Sequence, residues 1–146
     1  MKARMWIAMA AVVALFTTAV IADDPSLEGV KCVVNAKAPA KATNAVDYKG
    51  GKVYFCCQNC PKAFEKDTAK FAASANHQLV ATGQAKQVKC PFSGGPAKEA
   101  TAIDVNGVKV AFCCENCQGK AKESSEQVEL IFNDKAFEKG FEVTKK

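Results

Sequence analysis

Val53-Tyr54-Phe55-Cys56-Cys57-Gln58-Asn59-Cys60 and Val110-Ala111-Phe112-Cys113-Cys114-Glu115-Asn116-Cys117 are two versions of one motif, an apolar strand end running into three cysteines. One further cysteine precedes each copy, Cys32 and Cys90, so all 8 cysteines of the 146-residue chain fall into two matching sets. The register continues outward. Val30-Lys31-Cys32 matches Val88-Lys89-Cys90, Asp47 matches Asp104, Gly50 matches Gly107, and Phe55 matches Phe112. Self-similarity at a fixed period means repeated folding units. Two modules are therefore predicted, residues 23–83 and 84–146. Domains below roughly 70 residues seldom stand on a hydrophobic core alone and lean on disulfides, a metal or a partner.

The N-terminus sets the redox compartment. Lys2 and Arg4 precede an apolar run from Trp6 to Phe16, and small residues at Val20-Ile21-Ala22 precede Asp23-Asp24. Residues 1–22 thus read as a cleaved secretory signal peptide, which makes the mature protein periplasmic or secreted. The competing reading is an uncleaved anchor, because the apolar stretch from Met5 to Ala22 approaches the ~20 residues that span a bilayer. After signal cleavage no later stretch can serve as a membrane span.

Removing Lys2 and Arg4 takes the formal charge from +5 to +3, and Arg4 and Trp6 are the only Arg and Trp in the chain. Nucleic-acid readers rely on Arg for bidentate base and phosphate contacts, so no nucleic-acid partner is expected. The single histidine, His77, lies in the first module only. A repeated catalytic site with a histidine base is therefore excluded, and a non-catalytic role is expected. His77 reads as an ordinary polar residue at a helix end.

Each module shows the same coarse pattern. Asn35 to Ala45 has no clean period and reads as loop. Val46-Asp47-Tyr48, the Lys49-Gly50-Gly51 turn and Lys52 to Phe55 predict a β-hairpin, and Ile103 to Phe112 predict a second around Asn106-Gly107. Helical spacing follows each cluster. Phe64, Thr68, Phe71, Ala72 and Ala75 fall on one helix face, with Pro61 suited to a first turn. In the second copy a helix from about Glu115 turns apolar at Val128, Leu130, Ile131 and Phe132, and a short helix follows from Asp134 to Gly140. Asn76 to Gln87 join the modules, and a segment this short predicts modules in contact. The fold class is α+β.

At a helix start, residues three or four apart share a face, so Cys60 can share an ion with Cys56 or Cys57. Free N–H groups and the helix dipole there favour the thiolate form. Cys32, arriving from a loop, supplies a distant ligand. That is the layout of a treble-clef-like metal site, with Cys90, Cys113, Cys114 and Cys117 repeating it.

The run Cys90-Pro91-Phe92-Ser93-Gly94, then Ile103 to Cys113, then Cys117, resembles a YHS domain of the TRASH-like group. Cys32, Asp47-Tyr48-Lys49-Gly50, Val53 to Cys56, Cys60 and Phe64 carry the same resemblance in the first module. The resemblance implies a small metal-binding module for heavy-metal sensing, trafficking or resistance, with another exported protein or a metal transporter as partner. The chain departs from the fuller family pattern. Asn35 and Ser93 stand where a second loop cysteine is expected, Cys57 and Cys114 are additions, and Ala121 replaces Phe64. The added thiols either restore a fourth ligand or stand idle beside three-thiolate sites. Four thiolates suit zinc, and three without histidine suit copper(I).

Two other classes stay open. An even number of cysteines in an exported chain is also the mark of a disulfide-stapled interaction module with structural cysteines. The Cys-x2-Cys spacings of 57–60 and 114–117 suggest a thiol–disulfide redox protein.

Overall fold

The computed structural model describes residues 25–144. The segment read as a signal peptide lies outside them. In chain order the elements are β1 (Lys41–Tyr48), β2 (Gly51–Phe55), α1 (Asn59–Lys66), α2 (Thr68–Ala81), β3 (Ala85–Gln87), β4 (Lys98–Val105), β5 (Val108–Phe112), α3 (Glu115–Glu123), α4 (Gln127–Phe132), α5 (Asp134–Gly140) and β6 (Phe141–Val143). The fold is α+β, with antiparallel hairpins β1–β2 and β4–β5 each feeding a helix.

Both hairpins turn through two residues with positive φ, Lys49 (49°) and Gly50 (85°) in one and Asn106 (51°) and Gly107 (85°) in the other. That is the twist-matched geometry that favours Asn-Gly. Asp104 Oδ1 accepts the Gly107 N–H at 3.0 Å and fixes the second turn. The strands begin earlier than the sequence reading placed them. Lys41 pairs with Phe55 and Lys98 with Phe112 across a bulge in each hairpin. In the second bulge Thr101 Oγ1 accepts from the Phe112 N–H at 3.0 Å, so a hydroxyl stands in for the interrupted ladder.

The helical stretch after each cluster is broken where one run was expected, at Asp67 in the first module and over residues 124–126 in the second, whereas the short helix from Asp134 forms as expected. Asp67 ends α1 and its carboxylate accepts the Lys70 N–H at 3.2 Å, so it serves as N-cap of α2. Asn133 does the same between α4 and α5: its Oδ1 accepts from Ala136 N–H at 3.0 Å while its Nδ2 donates to Leu130 O at 2.9 Å. A capping side chain offers the orphan N–H groups a partner and makes the break cheap.

The modules share one core. Val53, Phe55, Phe64 and Leu79 from the first are continuous with Val110, Phe112, Ile131, Phe132 and Phe137 from the second. Helix α2 packs across the junction on α4 and α5. The joining segment also contributes a strand. Ala85 lies opposite Val143, Lys86 opposite Glu142 and Gln87 opposite Phe141. Val88 N–H donates to Gly140 O and Thr144 N–H to Gln84 O, each at 2.8 Å. This ribbon fastens the end of the first module to the end of the second. The approach is close: a Cβ on Gly140 would lie 2.8 Å from Pro91 Cα.

Three glutamines close the outer edges of β2 and β5. Gln78 takes the Tyr54 N–H (2.6 Å) and returns its own N–H to Tyr54 O (2.9 Å). Gln84 brackets Lys52 in the same way, at 2.7 Å for both bonds, and Gln87 brackets Ala111 at 2.9 and 2.6 Å. Side-chain amides thus occupy the edge positions that would otherwise invite a further strand.

Candidate metal centres

The hairpin-to-helix junction brings the cysteines together. Cys32 sits in a loop held by its N–H to Ala38 O at 2.9 Å. Cys56 directly follows β2, and Cys60 is the second residue of α1. In the second module the Cys90 loop is closed twice, Cys90 N–H to Gly95 O and Gly94 N–H to Cys90 O, each at 2.8 Å. Cys113 follows β5 and Cys117 lies in the first turn of α3.

Two trios result, Cys32–Cys56–Cys60 and Cys90–Cys113–Cys117, in each of which all Sγ atoms lie within 4.8 Å of one another. The Cys56–Cys60 and Cys113–Cys117 separations are 3.5 and 3.6 Å. Tetrahedral sulfurs about 2.3 Å from a zinc ion are about 3.8 Å apart. Each trio fits a metal ion with small adjustments. All eight cysteines are free thiols with no pair at bonding distance.

Burial grades the ligands. Cys32 and Cys90 are the deepest, at 2% and 0% exposure, whereas Cys57 and Cys114 are exposed. Cys57 Sγ is 3.4 Å from Cys60 Sγ, and Cys114 Sγ is 3.6 Å from Cys113 Sγ. Neither extends its trio to a mutually close set of four. The two added thiols stand beside the sites, on the solvent side.

Polar neighbours prepare the loop sulfurs for charge. Burial opposes ionisation of Cys32, but N–H donors from Asn35, Cys56 and Val34 outweigh it and hold the thiol below its usual value. In Cys90 burial is likewise overcome, by the Ser93 and Cys113 backbones and the Ser93 hydroxyl, and the pKa falls to about 7. Cys60 is raised, by burial first and then because it donates to the neighbouring sulfurs. Cys117 is pushed up to about 12 for the same two reasons, with Cys90 and Cys113 adding like charge. Three sulfurs this close cannot all ionise without a cation among them. A bound cation removes that penalty and releases the remaining protons.

The two residues three positions after the loop cysteines both touch sulfur. Asn35 N–H donates to Cys32 Sγ at 3.4 Å, and Ser93 Oγ donates to Cys113 Sγ at 3.2 Å. Such outer donors orient ligands and stabilise thiolate charge.

His77 joins neither trio. It lies within α2 rather than at its end, donates from Nε2 to Val105 O at 3.0 Å and meets the Phe132 ring edge-on. It ties the modules together.

No helix of the described residues is long and apolar enough to cross a membrane. Comparisons with protein-family models, curated proteins and solved structures give no match.

Proposed function

We propose that this chain is an exported, non-catalytic protein that binds one thiophilic metal ion in each module, Cys32, Cys56 and Cys60 holding one and Cys90, Cys113 and Cys117 the other. The observation that carries the reading is the pair of trios, built twice from the same elements with all sulfurs within 4.8 Å. Copper(I) is the favoured cargo over zinc. It is soft and satisfied by few sulfur ligands, and the trios contain three thiols each and no imidazole. Trafficking or resistance fits such sites better than folding does, because the shared apolar core already joins the modules. Export rests on the sequence of residues 1–22, and the YHS/TRASH-like likeness on the spacing of the motifs.

Native mass spectrometry of protein recovered from an oxidising compartment, compared before and after chelation, tests the reading. Two ions per chain are expected, falling to one in Cys32→Ser or Cys90→Ser and to none in the double variant. A metal-free mass about eight hydrogens below the reduced chain would instead mean four disulfides and a stapled interaction module.

A further inference from the structure

The trios leave Cys57 and Cys114 without a role, although each repeats at the same place beside its site. Cys57 is exposed and lies 3.4 Å from Cys60 Sγ, whereas Cys60 is buried and belongs to the trio. An outer thiol in contact with an inner ligand is the arrangement needed for thiol–disulfide exchange. The outer sulfur meets a reagent from solvent, and the inner one resolves the product.

We propose that Cys57 and Cys60 form an exchange pair whose substrate is a small exposed disulfide, and that its oxidation dismantles the first metal site. The coupling rests on the trio being an ion site; the exchange chemistry does not. The Cys57 sulfur attacks one sulfur of the disulfide RSSR, the S–S bond breaks, and the departing RS⁻ takes the Cys57 proton as RSH. Cys60 then gives up its bond to the ion and attacks the Cys57 sulfur of the mixed disulfide. A second RS⁻ leaves and is protonated by solvent. Two electrons pass from Cys57 and Cys60 to RSSR, which becomes two RSH. The ion keeps only Cys32 and Cys56 and is released.

The second site is built to respond more slowly. There Cys114 rests on Cys113 at 3.6 Å, and its sulfur interacts less strongly with that of Cys117. A bond between chain neighbours forces the planar trans peptide between them out of shape. The two copies of one motif therefore form a labile and a retentive store.

The test uses the full chain, reduced and loaded with Zn²⁺, which has no redox chemistry of its own. Oxidised glutathione is added, free zinc is followed with a chromogenic chelator, and the bonds formed are mapped by peptide mass spectrometry. One ion should leave first, in step with a Cys57–Cys60 bond. The second should follow at least about tenfold more slowly, given the strained leaving geometry. Cys57→Ser, with Cys57→Ala as a second variant, should load both ions and lose the first-site ion at least about tenfold more slowly. Release at the unsubstituted rate from both variants overturns the proposal. So does a first bond within the trio, or loss of a loaded ion on substitution, which makes Cys57 a ligand. A chain that takes up no zinc refutes the ion reading alone. Mapping of the metal-free chain then decides the exchange pair by whether Cys57–Cys60 is the first bond formed.

Discussion

The two modules fill the same core with differently placed aromatics. In the first, Phe64 of α1 packs on Phe55 with ring centroids 5.5 Å apart and on Tyr48 at 5.4 Å. In the second the Phe64 position is Ala121, and the partner of Phe112 is Phe92, 5.4 Å away, from the loop beyond Cys90. The counterpart of Phe92 in the first module is Val34, which also packs on the core. The pairs Val34 with Phe64 and Phe92 with Ala121 thus reverse which of the two positions carries the aromatic partner of the strand-end phenylalanine. What the repeat keeps is filled volume beside the strand end, not residue identity, as expected where cores tolerate substitution at constant volume.

The largest effect should come from breaking this exchange on one side. Phe64→Ala removes a side chain that is 2% exposed and is expected to destabilise by about 3–5 kcal/mol in urea unfolding. Adding Val34→Phe imitates the second module and should recover at least about 1 kcal/mol through coupling of neighbours. Simple additivity of the two changes would break the comparison.

The close meeting of the modules is tested next. Gly140→Ala drives a Cβ against Pro91 backbone and should cost about 1–3 kcal/mol by overpacking. Gly83, its counterpart, has open space but a φ of +71°. Gly83→Ala should therefore cost about 1 kcal/mol through backbone strain alone. Equal costs would mean that the close approach at Gly140 is relieved elsewhere.

His77, whose counterpart is Asp134, sharpens the comparison through pH. Burial lowers its pKa from 6.5, outweighing the Val105 carbonyl and the Asp104 carboxylate, which raise it. The folded state therefore favours the neutral ring. Its contribution to stability is complete above pH 6.5 and is lost as pH falls from there through the folded value. His77→Gln should flatten that acid limb. As this is the only histidine, its imidazole NMR signals titrate without ambiguity, and a midpoint at or above 6.5 would refute the account.

The smallest effect belongs to the ion pair of Asp134 with Lys49, 2.7 Å apart and half-exposed on the carboxylate side. Asp134→Asn should cost no more than about 1 kcal/mol. A larger loss would mean that the contact of Asn76 Nδ2 with Asp134 Oδ1, at 3.0 Å, depends on the charge.

Much of this fold is legible in the chain because it is local. Asn106-Gly107 states its turn, alternation states the hairpins, and the cysteine spacing states that each cluster lies at a helix start. What is not legible depends on partners distant in sequence. Ala85 to Gln87 carry no alternating signal, and only Phe141 to Val143 make them a strand. The start of α5 at Asp134 was legible, but at the capping residue Asp67 apolar spacing on either side suggested continuous helix. Ala121 was visible as a gap, yet only folding shows that Phe92 is the aromatic partner of Phe112 instead. The trios were legible as residue types. That Cys57 and Cys114 stand outside them depends on where adjacent side chains point as strand becomes helix.

The ribbon of β3 and β6 carries a consequence for the order of events during synthesis. The first module reaches its complete form only after the last strand has emerged, because the segment following its own α2 is held by residues near the other end of the chain. Contacts that span so much of the sequence are slow to form. The first cysteine trio is therefore assembled in a nascent chain whose lock is still missing, and a chain cut short before Phe141 leaves both modules unfastened.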